Sequence, residues 1–303
     1  MKRGRLIYAT MTIATAALLA GGFVAWADSD PGRLMFVADG TLVEQLATGA
    51  LEPVELPAVL ANENPIHLVP SPTDESFAYV CDPTTHKLQH HGSGLCTAVD
   101  TTTTLRAEST NLIRFPTWSP DGEQLAYADV AEVGHGSIWI TDESGHSETL
   151  CEDWCPLFRY SSLSWSPDGA TVATVADTPG SDGHPARVVL FDVATHNFRF
   201  LNEGSFGLQH DPAWSPDGQH IVYASSDVDG FNLWRADVET GAGEQITAEP
   251  GGARNPVFSL DGASIAFTSW ENNNWVLRST SANGDGESTL ISGADTSRPR
   301  FVR

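Results

Sequence analysis

The chain has 303 residues, with 39 acidic side chains against 16 basic ones and a formal net charge of −23 at pH 7. A surface that acidic repels phosphate backbones and anionic lipid headgroups, so nucleic acid is excluded as a partner and a membrane is excluded except through a hydrophobic leader.

Such a leader opens the chain. Lys2, Arg3 and Arg5 precede an apolar stretch from Leu6 to Trp26, and Ala25-Trp26-Ala27 is a small-x-small cleavage signal. Residues 1–27 read as a Sec-type signal peptide or, because the stretch is long for one, as an uncleaved N-terminal anchor. No cysteine stands near its end, which argues against a lipoprotein anchor. Either way residues 28–303 are expected as one exported domain, whether periplasmic, cell-surface or secreted.

Arg33 to Ala38 then reads as a strand with no partner strand ahead of it. From there one phrase recurs. It appears as Pro116-Thr117-Trp118-Ser119-Pro120-Asp121-Gly122, as Ser164-Trp165-Ser166-Pro167-Asp168-Gly169, and as Pro212-Ala213-Trp214-Ser215-Pro216-Asp217-Gly218. Worn copies stand at Pro256 to Gly262 and Val69 to Asp74. The anchoring serines, Ser71, Ser119, Ser166, Ser215 and Ser259, recur every 44–49 residues. Each phrase is a strand followed by a tight turn, with Pro presetting the first corner, Asp able to bond backbone amides, and Gly tolerating positive φ. A short alternating run follows each turn, as in Leu125-Ala126-Tyr127 or Ile221-Val222-Tyr223, and two further runs complete the unit.

Four short antiparallel strands per period make the blade of a β-propeller. The C-terminus from Ser297 is a further copy of the first strand, with Phe301 in the column of Trp214 and Phe258. It supplies what Arg33–Ala38 lacks. The expectation is therefore an all-β, six-bladed, monomeric propeller closed by joining the two chain ends. The repeated aromatics are expected between blades, and the Asp-Gly pairs are turn chemistry rather than calcium ligands.

Four cysteines in an exported chain point to disulfides. Cys81 and Cys96 are cross-strand candidates in the second blade, while Cys151 and Cys155 bracket a three-residue turn. One metal on four thiolates would need paired Cys-x-x-Cys spacing, which is absent. The insertion from Asp82 to Gly94 carries His86, His90 and His91; it reads as a polar loop, with a transition-metal site as the alternative.

The phrase, followed by an apolar-Ala-Tyr strand and by Leu233-Trp234-Arg235-Ala236-Asp237, resembles the repeat of the TolB family of β-propellers. The resemblance covers everything after residue 32. It implies a six-bladed periplasmic or secreted propeller that serves as a protein-interaction platform. The chain departs from TolB in having no room for that protein's additional N-terminal α/β domain, so a Tol-specific role is not expected. Similar repeats form the regulatory propeller of prolyl-oligopeptidase-like peptidases, whose hydrolase domain is also missing here.

Propeller ligands sit where the innermost strands begin. Counting four and five places back from each serine gives the expected rim: Ile66 and His67, Arg114 and Phe115, Ser161 and Ser162, His210 and Asp211, Arg254 and Asn255, Ser297 and Arg298. Arg114, Arg254 and Arg298 with His67, His210, Asp211 and Asn255 suit a carboxylate on a protein or peptide partner. Rim arginines paired with carboxylates across blades are the bland alternative. No Gly-x-Ser-x-Gly, His-Glu-x-x-His, phosphate-loop or dinucleotide signature occurs. The expectation is thus a non-enzymatic binding propeller without catalytic residues, resident metal or cofactor. The alternative is a propeller lyase or hydrolase acting on a small or saccharide substrate in the channel, using His67, His210 and Arg254.

Overall fold

The structure is a computed structural model, described here for residues 33–38, 41–45, 50–62, 66–81, 93–131, 136–151, 162–176, 186–202, 207–227, 230–285, 288–292 and 300–302. These residues form six four-stranded antiparallel sheets, and a single 3-10 turn at Ala58–Asn62 is the only helical element among them. None of the described residues belongs to a helix long and apolar enough to cross a membrane. The expected leader, residues 1–27, lies outside the described residues.

Each sheet is a blade, numbered here in chain order. Blade 1 joins both chain ends: Arg300–Val302 pairs with Arg33–Ala38, followed outward by Thr41–Gln45 and Leu51–Pro53. Blades 2 to 6 begin with the innermost strands Ile66–Pro70, Leu112–Trp118, Ser164–Trp165, Gln209–Trp214 and Ala253–Phe258. Their remaining strands follow outward in sequence order.

A blade cannot bury both its faces alone, so the ring is held by what lies between neighbours. Six apolar clusters fill six interfaces. Leu42 and Val54 of blade 1 meet Phe77 and Tyr79 of blade 2. Val80 and Leu95 meet Trp118 and Tyr127 of blade 3, and Ile140 meets Trp165 and Val172 of blade 4. Val175 and Leu190 then meet Ile221 and Tyr223 of blade 5, and Leu233 meets Ile265 and Phe267 of blade 6. Finally Ala266 and Leu277 meet Leu34 and Phe36, returning to blade 1. Each large apolar side chain so enclosed contributes about 1.5–3 kcal/mol. The repeated aromatics are inter-blade core, as their period implied.

The recurrent turn is a hydrogen-bonded unit. The hydroxyls of Ser119, Ser166, Ser215 and Ser259 donate to the carboxylates of Asp121, Asp168, Asp217 and Asp261. Each also accepts a backbone N–H from five residues on, at 2.9–3.0 Å. The same carboxylates accept the N–H two residues after themselves. Gly122, Gly169, Gly218 and Gly262 close the turn at φ 71–75°, where a Cβ would be strained. The phrase's tryptophan adds a tie between blades. Trp118 Nε1 donates to the carbonyl of Val69, and Trp165 Nε1 donates to that of Thr117, both at 3.2 Å.

Candidate functional site: the mouth where the innermost strands begin

Antiparallel order fixes which residues share a mouth of the ring. The innermost strand leaves one mouth, the second strand returns to it, and the third leaves it again. The starts of the innermost strands and the tips of the second-to-third hairpins therefore lie together. The Ser-Pro-Asp-Gly turns lie at the opposite mouth. Described rim residues His67, Arg114, His210, Asp211, Arg254 and Asn255 all fall at the first mouth; Arg298 and Ser161 lie outside the described residues.

Four innermost strands make the same departure there. Their pairing slips between Ile66 and Val69, Arg114 and Thr117, His210 and Ala213, and Arg254 and Val257. At each slip two residues oppose one, which is a β-bulge. The first of the two has left-handed backbone: His67 at φ 56°, Phe115 at 54°, Asp211 at 52° and Asn255 at 50°. These are the residues four places before the serine. Pro116, Pro212 and Pro256 follow three of them, and a proline, having no N–H to give the ladder, is at home in a bulge.

The bulged residues are locked by contacts to their neighbours. In blade 6, Thr268 Oγ1 donates to the carbonyl of Arg254 at 3.1 Å and accepts from Asn255 Nδ2 at 3.0 Å. In blade 5 the fully buried Gln209 precedes the pair His210 and Asp211. Its Oε1 accepts the N–H of Val188 in blade 4 at 2.7 Å, and its Nε2 donates to Asn202 Oδ1 at 3.1 Å. His210 and Asp211 are themselves 8% and 7% exposed. They line a built wall, not a mobile fringe.

Aromatic rings divide this rim. His67 and Phe115, in blades 2 and 3, stand 4.9 Å apart between ring centroids. On the other side Phe231, at the hairpin tip of blade 5, carries the Arg254 guanidinium 3.6 Å above its ring and lies 5.2 Å from His210. A guanidinium stacked on a ring is held there by the cation–π attraction and its position is thereby fixed. Phe231 was not among the residues expected from the sequence. The signal for it existed, since any residue at the second-to-third turn shares a mouth with the rim, but it needs the strand order to be read.

Arg114 is half-buried, and its guanidinium has no hydrogen-bond or ion-pair partner among the described residues. The ion pairs among those residues lie elsewhere, on Arg33, Arg235 and Arg278. Among the described residues no three histidine, cysteine or acidic side chains are grouped to hold a metal. His86, His90 and His91 lie outside them.

Cys81 and Cys96 form a disulfide, Cα atoms 5.8 Å apart, across the second and third strands of blade 2. Cys151 is also disulfide-bonded, and Cys155, its expected partner, lies outside the described residues.

The family model described as the TolB beta propeller domain matches residues 95–302. The chain belongs to the TolB β-propeller family. TolB from Acinetobacter baumannii superposes with a TM-score of 0.68 at 18% identity, over 88% of this chain and 66% of that one. A propeller from the nidogen/laminin complex gives 0.65 at 10% identity, over 88% of this chain and 97% of that one. At such identities the likeness is one of fold. Among curated relatives, Dipeptidyl-peptidase 5 of Porphyromonas gingivalis is 29% identical over 140 residues, which is 43% of this chain and 20% of that protein. The matched segments span half or less of the curated relatives' own length.

Proposed function

We propose that this chain is an exported, non-enzymatic binding propeller that takes a protein or peptide partner at the mouth where its innermost strands begin. A carboxylate of that partner would sit among the rim arginines, Arg114 and Arg254 together with Arg298, which the repeat aligns with them in sequence. The observation that carries the reading is the state of the rim cations. In a chain with 39 acidic residues against 16 basic ones, Arg114 is left without a carboxylate partner among the described residues. Internal neutralisation would be the cheap arrangement in so acidic a protein, and Arg114 departs from it.

Protein binding is also the printed context of the nidogen/laminin propeller, and protein interaction is what the TolB resemblance implies. Export is supported by the leader-like residues 1–27 and by the Cys81–Cys96 disulfide, a bond that persists in oxidising compartments. The peptidase name of a relative is not carried over, because the match spans only a fifth of that protein.

The test is a double change, Arg254→Ala with Arg298→Ala. It is expected to abolish capture of partner from the exported fraction while leaving the melting temperature within about 2 °C of the parent. Capture that survives the double change sinks the reading.

A further inference from the structure

The apolar stripe between blades 6 and 1 runs on past the end of blade 1. On the face of blade 6 turned to blade 1, Ala266 and Leu277 pack with Leu34 and Phe36. Alternation along the two strands puts Thr268 and Trp270 on that same face, with Trp275 directly across from Trp270. Phe301 pairs with Leu34 as Phe258 pairs with Ile265, so Ala38, the last residue of its strand, stands level with Ser269. Trp270 lies one place further out and is 43% exposed.

The hairpin tip that carries these rings is braced. Glu271 pairs with Asn274, and between them Asn272 and Asn273 have φ 49° and 63°. Positive φ at both centres is the type I′ turn, whose twist suits the flanking strands and which Asn adopts readily. On the face turned to blade 5, Arg278 Nε donates to Glu271 at 2.5 Å and stands 3.7 Å from Glu249. The backbone at Gly251 fits directly against the tip, where a Cβ would stand 1.8 Å from the carbonyl oxygen of Trp270. The two indoles meet edge to face, centroids 5.3 Å apart at 68°, a favoured arrangement for aromatic pairs.

What this tip does not offer is a free charge. From Thr268 to Leu277 the one ionisable side chain is Glu271, and Arg278 holds it on the opposite face from the indoles. In a chain of net charge −23, electrostatic complementarity then narrows the occupant. An anion meets the field of the whole chain, and a second copy brings the same −23. A cation finds no free carboxylate on the tip to pair with. The side-chain amides of Asn272 and Asn273 are exposed and make no hydrogen bond among the described residues. Each can both donate and accept. A pyranose ring has the matching form, with a C–H face that lies on an indole and a border of hydroxyls within reach of amides.

We propose that the blade 6 hairpin binds an uncharged oligosaccharide, with Trp270 as its platform and Asn272 and Asn273 as its hydrogen-bonding partners. The site uses none of the rim arginines, so it stands or falls apart from the reading above.

The test titrates nitrogen-15-labelled protein with cellohexaose, maltohexaose and N-acetylchitohexaose, and with the peptide N-acetyl-Arg-Gly-Arg amide. The Trp270 indole N–H signal is the one absent from the Trp270→Phe spectrum. At least one hexasaccharide is expected to move that signal to saturation, and calorimetry should show Trp270→Ala weakening its binding by about tenfold or more. Trp270→Phe, which keeps a flat ring, should bind between the two. Asn273→Gly preserves a favoured type I′ pair and removes one amide, so it should weaken binding by about threefold.

The proposal fails if no hexasaccharide moves the Trp270 signal, or if Trp270→Ala binds like the parent. It fails if the arginine peptide binds more tightly than every sugar, which would make the hairpin a cation site. A dimer in sedimentation that Trp270→Ala dissolves would make it a contact between copies, and overturns the proposal as well.

Discussion

Trp165→Phe and Trp214→Phe remove the same atoms from equivalent places in blades 4 and 5, yet they should differ in cost. Trp165 Nε1 donates to the carbonyl of Thr117 in blade 3 at 3.2 Å, as Trp118 does to Val69. Trp214 Nε1 is buried and has no hydrogen-bond partner among the described residues. Trp214 is the less buried of the two, so the packing lost there is no larger and cannot reverse the order. What remains is the hydrogen bond. At Trp165 the substitution removes a made bond and strands the Thr117 carbonyl, a loss of about 1 kcal/mol or somewhat more. At Trp214 it removes a donor desolvated without return, so the same contribution has the opposite sign. Phe258 fills this column in blade 6, which shows that the scaffold accepts the smaller ring. The difference between the variants should be about 2 kcal/mol. For a chain of this size that is a gap of about 4 °C in melting temperature, with Trp165→Phe the lower. Scanning calorimetry of the two variants beside the parent measures it. Equal melting temperatures, or a lower value for Trp214→Phe, would refute the assignment of the tryptophan as a tie between blades.

Acid should loosen the opposite mouth. The hydroxyl of Ser119, then the N–H of Glu123, hold the Asp121 carboxyl below its ordinary 3.8, and Ser166 and Ala170 do the same for Asp168. A carboxyl depressed by folding adds stability that is present above its unfolded value, near 3.9, and lost as pH falls through the folded one. Urea midpoints should therefore fall below about pH 4, and Ser119→Ala with Ser166→Ala should flatten that fall; an unchanged slope in the variant counts against the turns as its source. Breaking Cys81–Cys96, which spans 15 residues, should cost about 3 kcal/mol, read as a drop in melting temperature when both cysteines are replaced by alanine. A Cβ at Gly94 would stand 2.8 Å from Cys81 Sγ, so Gly94→Ala should be destabilising, and less so once both cysteines are alanine. With a net charge of −23, raising salt from about 0.05 M to about 0.5 M should raise the melting temperature by screening self-repulsion; a flat response would show the acidic groups to be spaced beyond mutual influence.

The blades were legible because each carries its own punctuation. Ser119 through Gly122 encode a turn in four residues, and Leu125-Ala126-Tyr127 shows the alternation of a strand packed on one side. Both are local, so the period could be read without knowing what lay beside what. The rim was legible only as a set of positions. Pro116, Pro212 and Pro256 stand inside innermost strands, where a proline belongs in a bulge, and only the slipped register shows that signal for what it is. The left-handed backbone before them was not readable. A residue ahead of proline ordinarily lies extended, and nothing in the letters Phe115-Pro116 announces φ 54°. Phe231 escaped for a different reason. It stands twenty-one positions beyond His210, and only the return of the second strand brings the two rings together.

The division of labour within a bulge bears on how this mouth works. The ring of Tyr79, Tyr127, Tyr223 or Phe267 lies in the inter-blade core, and its bulk accompanies the bulge opposite. The bulge in turn aims whatever side chain occupies its first position. Core packing therefore sets where the rim residue stands, while the identity of that residue contributes little to the core: His67 and Asn255 belong to none of the apolar clusters. Phe115 is the exception, since its ring also packs with Ala126, Trp165 and their neighbours between blades 3 and 4. Changing it should disturb stability and recognition together, whereas changing His67 or Asn255 should separate them. A repeated scaffold thus holds an asymmetric mouth because the repeated element is the backbone departure, and the side chain it carries differs in each of the four blades where it is described.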